Sequence, residues 1–157
     1  MISQSDLKSE VDHAQLSAFY GRFREDFIDN PFTVQGKEIL VDHRVPKDKE
    51  YERYCATFYH LITRKFNIKG VRLYECERAN RIHWIRPILL ARPGNKILYY
   101  KWKDSGGICK THFWYRDKKF MVVLKDLGDN SQIVTAFCVD PDKEEKYFER
   151  FVAYRDR

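Results

Sequence analysis

The chain has 157 residues, of which 43% are hydrophobic and 15% aromatic, and its formal net charge is +6. This length suits one domain with a core of its own, and the composition excludes a disordered chain. No apolar run is long enough to span a membrane, and the N-terminus lacks the basic and apolar regions of a signal peptide. We therefore expect a cytoplasmic protein.

The positive charge is concentrated in the middle of the chain. Residues 60–125 hold 16 Lys and Arg against 4 Asp and Glu, a net charge of +12. Residues 1–59 and 126–157 each have a net charge of −3. Such asymmetry predicts a surface for a polyanion. The alternative is a solvated basic face without a ligand, because charge balance alone does not specify a site.

Helices are predicted in the first half of the chain. Apolar residues recur at helical spacing in a first helix at about 5–29, which ends before Pro31. Residues 32–41 predict a short hairpin around Gly36. A second helix is predicted at about 49–66.

A third predicted helix, 77–89, is unusually basic for an element with an apolar stripe. It carries Arg78, Arg81 and His83, and we expect it to kink or restart at Pro87, because proline removes a helical hydrogen bond. Four short, aromatic and β-branched segments follow, separated by turn signals: 96–103, 110–116, 119–125 and 132–139. A final helix is predicted from an Asp cap and a first-turn proline at 140–156.

These elements predict an α+β fold, with N-terminal helices packed on one face of a four-stranded antiparallel sheet and a short C-terminal helix. Strand alternation would then leave an open face that combines cations with aromatic rings. Lys101, Lys103, Lys125 and Thr135 are candidates for it, with Tyr115 among the aromatic residues. Cations meet phosphates and rings stack on bases, so this mixture favours RNA binding. The alternative is that each lysine only solvates the sheet.

Motifs for other chemistry are absent from the sequence. There is no HExxH, no CxxC pair, no GxSxG, no P-loop and no GxGxxG, so neither a metal nor a nucleotide cofactor is expected. Metal-free cleavage of RNA needs a base, an acid and cations at the phosphate. Histidine and arginine supply these groups, and the basic middle contains both.

The sequence also resembles a known group of nucleases. The segments "RANRIHWIRPIL", "HFWYRDKKFMVVLK" and "IVTAFCVD" are similar to the phage-associated nucleases of the barnase–EndoU–colicin–RelE (BECR) superfamily, and "FYHLIT" looks like their F-x-HL element. The resemblance covers about residues 52–150. It implies a helical appendage with a short hairpin at 1–50 and a BECR-like nuclease domain at 51–157.

The resemblance implies a metal-independent endoribonuclease, often a toxin or prophage effector, whose active site lies on the open face of the sheet. Its pattern points to Arg78 and Arg81 in the basic helix, Thr135 in "TAF" and His60 in "FYHL". Phe137 departs from the pattern, because many members have tyrosine there. RNA is the implied partner, and a toxin made in its own host would need an antitoxin or immunity protein.

The leading hypothesis is cleavage of RNA by its 2′-hydroxyl, giving a 2′,3′-cyclic phosphate. The candidate catalytic residues are His60, Arg78, Arg81, His112 and Thr135. The candidate RNA-binding residues are Arg64, Lys101, Lys103, Tyr115 and Lys125. The alternative is a module that binds RNA or a partner without catalysis, which predicts salt-sensitive binding and intact RNA.

Overall fold

The computed structural model of the chain describes residues 12–94 and 96–157. The α-helices are His13–Arg24 (α1), Ala56–Ile62 (α2), Cys76–Ala79 (α3), Ile85–Leu90 (α4) and Glu144–Arg155 (α5). The strands are Thr33–Val34 (β1), Lys37–Leu40 (β2), Thr63–Lys65 (β3), Arg72–Tyr74 (β4), Ile97–Lys103 (β5), Cys109–Tyr115 (β6), Phe120–Asp126 (β7) and Asn130–Cys138 (β8). Single 3₁₀ turns lie at Lys49–Tyr51, Ile82–Trp84, Arg116–Lys118 and Pro141–Lys143.

The prediction of a four-stranded antiparallel sheet was wrong. Within the described residues, six strands form a curled mixed sheet in the order β1-β2-β8-β7-β6-β5, and β3 and β4 form a separate two-stranded sheet. The segments predicted as a meander are the antiparallel strands β5 to β8. The predicted hairpin extends this sheet, because β2 pairs in parallel with the start of β8. The parallel pairing of β2 with β8 could not be predicted from local turn residues, because the two strands are far apart in sequence.

Helices cover both faces of the large sheet. On the first face, α1, α2 and α4 enclose a core that includes Phe113, Val122 and Ala136. On the second face, α5 covers a smaller core around Tyr100 and Trp114. The four aromatic residues of α5 that pack there are Tyr147, Phe148, Phe151 and Tyr154. Much of the face that was expected to be open is therefore covered.

Two of the predicted helices are interrupted. The helix expected at 49–66 is a 3₁₀ turn followed by α2, and the chain turns into β3 at Thr63. The helix expected at 77–89 is divided into α3, a 3₁₀ turn and α4. The break precedes Ile82, and Pro87 lies in the first turn of α4, where a missing N–H costs no helical hydrogen bond.

Residues 12–50 pack into the same core as the rest of the described chain. Leu16 and Phe23 of α1 are completely buried, and α1 continues into a π-helical turn at Glu25–Asp29. The predicted first helix began at residue 5, and its part up to residue 11 lies outside the described residues. In the hairpin, Gln35 and Gly36 both have positive φ, as a tight two-residue turn between right-twisted strands requires.

Candidate active site

His60 lies in the last turn of α2, between two concave regions of the surface. The larger is a cleft of about 1040 Å³ between the loop 44–50 and the β3–β4 hairpin. The smaller is a pocket of about 200 Å³ between α2 and strands β7 and β8. The His60 side chain lines both, so a ligand that spans the two regions would pass its ring.

Cationic side chains dominate the cleft. The cations are Arg44, Lys47, Lys49, Lys65, Lys69 and Arg72, and the carboxylates are Asp48 and Glu50. A cleft lined mainly by one sign of charge concentrates ligands of the opposite sign. Val45, Phe66 and Ile68 line the same cleft and are exposed. The cleft therefore suits an anionic ligand that also carries flat or apolar groups.

The local sequence of α2 directs His60 outward. Phe58, Leu61 and Ile62 are buried in the core, and the ring of His60 remains exposed to solvent on the opposite side of the helix. The N-terminal end of α2 is attached to the preceding loop, because the backbone N–H of Asp42 donates to the Thr57 hydroxyl at 2.6 Å.

The environment of His60 keeps its imidazole neutral near pH 7. Burial lowers the pKa of His60 below its usual value, and the Arg72 guanidinium lowers it further, while Asp42 acts in the opposite direction. His60 as a whole remains exposed to solvent, so the burial is partial. A neutral imidazole that reaches solvent can accept a proton from a ligand.

Arg78 fixes the end of α2. Its Nη1 donates to the carbonyl oxygens of His60 at 3.1 Å and Thr63 at 2.5 Å, and it lies 3.5 Å from the hydroxyl of Thr135. Its Nε is 3.6 Å from a carboxylate oxygen of Glu75, an ion-pair distance too long for a hydrogen bond. The carbonyls at a helix C-terminus lack helical partners, and Arg78 supplies one.

Arg72 is a site residue that the sequence analysis missed. Its guanidinium donates to the hydroxyl and the carbonyl of Thr63, each at 2.8 Å, and lies 5.8 Å from the centre of the Tyr59 ring. It pairs with Lys65 across the β3–β4 hairpin, and both line the cleft. The predicted helix to residue 66 concealed this hairpin, and with it the pairing of two cations.

Lys125 and Thr135 lie on the sheet side of the site. Lys125 and Gln132 are cross-strand neighbours, and both line the small pocket with His60. A register shift opposite Val123 and Leu124 gives β8 a bulge just before Thr135. Bulges re-aim side chains and are frequent beside active sites. The fold thus brings four of the predicted residues, His60, Arg78, Lys125 and Thr135, to one region.

Arg64 and Arg81 are engaged with neighbouring groups of the protein. Arg64 points to Glu75 at 3.9 Å and Asp140 at 3.7 Å, and about half of its side chain is exposed. Arg81 donates to the carbonyl oxygen of Glu77 at 2.6 Å and lies 5.2 Å from the centre of the Trp84 ring. Neither side chain lines the cleft or the small pocket.

His112 lines neither the cleft nor the small pocket. It lies on the sheet face that α5 covers, is 8% exposed, and stacks on Tyr100 with ring centres 4.5 Å apart. Burial, with a contribution from Arg150, lowers its pKa to about 4. Of the other predicted residues, Tyr115 packs against Trp84. Lys103 is exposed at the end of β5, and Lys101, on the same edge strand, pairs with Thr111 of β6.

We expect the replacement His112→Phe to flatten the pH dependence of stability. With a folded pKa of about 4 and an unfolded pKa of about 6.5, the unfolded state binds the proton first as the pH falls. Stability present above the unfolded pKa is lost as the pH falls towards the folded pKa. As the pH falls from about 7.5 to about 5, His112 should lower the free energy of unfolding by about 2 kcal/mol.

Urea unfolding of both proteins at the two pH values measures this difference. His83→Phe serves as the control, because it removes an exposed histidine and leaves the buried His112 in place. The lowered pKa of His60 acts in the same direction, but it is present in all three proteins. An equal loss of stability in wild type and His112→Phe would show that His112 is not the buried titrating group.

In residues 12–94 and 96–157, no group of three or more His, Cys, Asp or Glu side chains could hold a metal ion. None of the described helices is long and apolar enough to cross a membrane. Comparison with protein-family models, with curated proteins and with solved structures finds no match for this chain. The resemblance to the BECR nucleases, with the toxin, prophage and inhibitor roles it implies, therefore stays a prediction.

Proposed function

We propose that this chain is a metal-independent endoribonuclease that uses the RNA's own 2′-hydroxyl as nucleophile. One observation carries the proposal: His60, with a lowered pKa, lies where a strongly cationic cleft meets a small pocket that contains Lys125. A neutral imidazole can remove the proton of a 2′-hydroxyl, and cations stabilise the phosphate that the hydroxyl attacks.

The proposed reaction is an internal transesterification. His60 takes the 2′-hydroxyl proton as the 2′-oxygen bonds to phosphorus, and the bond from phosphorus to the 5′-oxygen breaks. Lys125 neutralises the developing negative charge and gives a proton to the leaving 5′-oxygen. The products are a 2′,3′-cyclic phosphate and a 5′-hydroxyl end. The cations of the cleft, Lys65 and Arg72 among them, would hold the RNA backbone.

We expect the purified protein to cleave single-stranded RNA in the presence of EDTA. A matched oligonucleotide with 2′-deoxyribose throughout should stay intact, because it lacks the nucleophile. Mass spectrometry of the fragments should show a cyclic phosphate. Intact RNA in the presence of folded protein, or cleavage that requires Mg²⁺, would contradict the proposal.

A second candidate function is salt-sensitive RNA binding without cleavage. The burial of His112 favours it, because the second of the two histidines expected as acid and base does not reach the cleft. It predicts the same cationic binding surface and intact RNA. The EDTA experiment separates the two functions. The chain would bind the oligonucleotide under either function, but it would cut the oligonucleotide only if it is a nuclease.

A further inference from the structure

A row of polar and aromatic side chains crosses the sheet towards His60. Cross-strand pairing aligns Trp102 of β5 with Lys110 of β6, Lys110 with Lys125 of β7, and Lys125 with Gln132 of β8. Directly paired residues share one face of a sheet, so the row is continuous across four strands. Its last two members line the small pocket together with His60.

The row lies just beyond the part of the face that α5 covers. Trp102, Lys110 and Lys125 each lie two positions along their strand from a member of the adjacent row, which consists of Tyr100, His112 and Val123. Residues two apart in a strand point to the same face. The adjacent row is buried beneath α5, whereas Trp102 is 36% exposed and Lys110 and Lys125 are half-buried. The row is therefore the accessible end of that face.

Trp102 is held in place beside cations. The guanidinium of Arg150 in α5 lies 4.8 Å from the centre of its ring, a cation–π contact that fixes the ring. Lys110 is 3.1 Å from a carboxylate oxygen of Asp104, so it is partly neutralised. Lys125 in the row and Arg150 beside it contribute positive charge to this surface. An exposed aromatic ring next to cations is the arrangement on which nucleic-acid bases stack while phosphates are neutralised.

We propose that Trp102 stacks on an unpaired base of the substrate, and that the RNA backbone runs from Trp102 over Lys110 and Lys125 to His60. Three strand spacings separate β5 from β8, about 14 Å in all, so the stacked base lies a few nucleotides from the bond that is cut. Stacking needs an unpaired base, which makes single-stranded RNA the substrate class. This inference rests on the proposed function for the identity of the ligand. It concerns how the RNA is bound and not how its phosphodiester bond is cleaved.

The test uses a 2′-O-methyl RNA oligonucleotide of about ten nucleotides, which cannot be cut because its nucleophile is blocked. We expect Trp102→Leu to weaken binding by about 5- to 150-fold in fluorescence anisotropy, the range measured for loss of one stacked base. Trp102→Phe should keep most of the affinity, because it preserves a flat ring. Melting temperatures of both variants show whether the contact with α5 survives.

Intrinsic fluorescence gives a second measurement. Trp114 is completely buried and Trp84 packs against Phe120, so quenching by the oligonucleotide should come from Trp102 and disappear in Trp102→Phe. Duplex RNA should compete poorly. Equal affinity in Trp102→Leu and wild type, or an equal loss in the Leu and Phe variants, would overturn the proposal.

The two proposals can fail separately. If Trp102→Leu binds weakly but the wild type leaves ordinary RNA intact, the stacking site stands and the nuclease function is wrong. If the wild type cuts RNA and Trp102→Leu binds and cuts equally well, the nuclease function stands and the stacking site is wrong.

Discussion

The replacement His60→Gln should reduce the rate of RNA cleavage by about 100-fold or more, the usual contribution of a general base. Glutamine keeps a polar side chain that can hydrogen bond, but it cannot accept a proton. Binding of a 2′-O-methyl oligonucleotide should change little, because the cleft keeps its cations. Single-turnover kinetics with a labelled oligonucleotide measures the loss, and fluorescence anisotropy measures the binding.

His43→Gln is the matched control for this experiment. His43 is exposed in the loop before α2, and it lines neither the cleft nor the small pocket. Its variant should cleave at the wild-type rate. A similar loss in both variants would point to a general effect of losing a histidine, and no loss in His60→Gln would leave binding as the function of the cleft.

The pH dependence of cleavage should report His60 directly. A general base must be neutral, so the rate should fall as the pH drops through the lowered pKa of His60. The fall should begin below about pH 6.5, the ordinary value for histidine. In His60→Gln the remaining activity should no longer show this fall in rate at low pH.

The sequence predicted the strands of the meander well, because each combines β-branched and aromatic residues with a turn signal at its end. Gly107 and Gly128 have positive φ in two of these turns, as their type suggested. The sequence did not reveal which face of the sheet would stay open. That depends on where α5 docks, and the aromatic stripe from Tyr147 to Tyr154 indicates an apolar face without naming its partner.

The candidate site was only partly predictable, because it too depends on tertiary contacts. The spacing of Phe58, Leu61 and Ile62 correctly predicts a buried stripe, and the outward position of His60 follows from it. The end of α2 at Thr63 is set by a contact with Arg72, nine residues further along the chain. Such a tertiary contact overrides the helical pattern, and a strand of three residues is too short to show alternation.

Arg78 also shows why a motif does not fix a residue's role. Its place in the basic helix suggested a clamp for phosphate, but only 10% of its side chain is exposed, and its Nη1 is directed at oxygens of the protein. Burial lowers its pKa, while Glu75 opposes this effect. We infer that Arg78 is a positioning residue, which acts on catalysis through the placement of His60.

The replacement Arg78→Met should therefore lower the free energy of unfolding by about 2–5 kcal/mol. Methionine matches the length of the side chain, but it leaves the carbonyls of His60 and Thr63 and the carboxylate of Glu75 without this partner. Urea unfolding near pH 7.5 measures the change. Arg81→Met is the control, since it loses one hydrogen bond and one ring contact near the surface, and about 1 kcal/mol is expected.

Cleavage by folded Arg78→Met distinguishes positioning from direct contact with phosphate. If Arg78 only holds the end of α2, conditions that restore folding should restore binding of a 2′-O-methyl oligonucleotide, and the remaining defect should lie in the rate of the chemical step. If Arg78 binds phosphate, the variant should be as stable as the wild type and should lose affinity for the oligonucleotide. Because the guanidinium hydrogen bonds the very carbonyl of His60, we expect the first result.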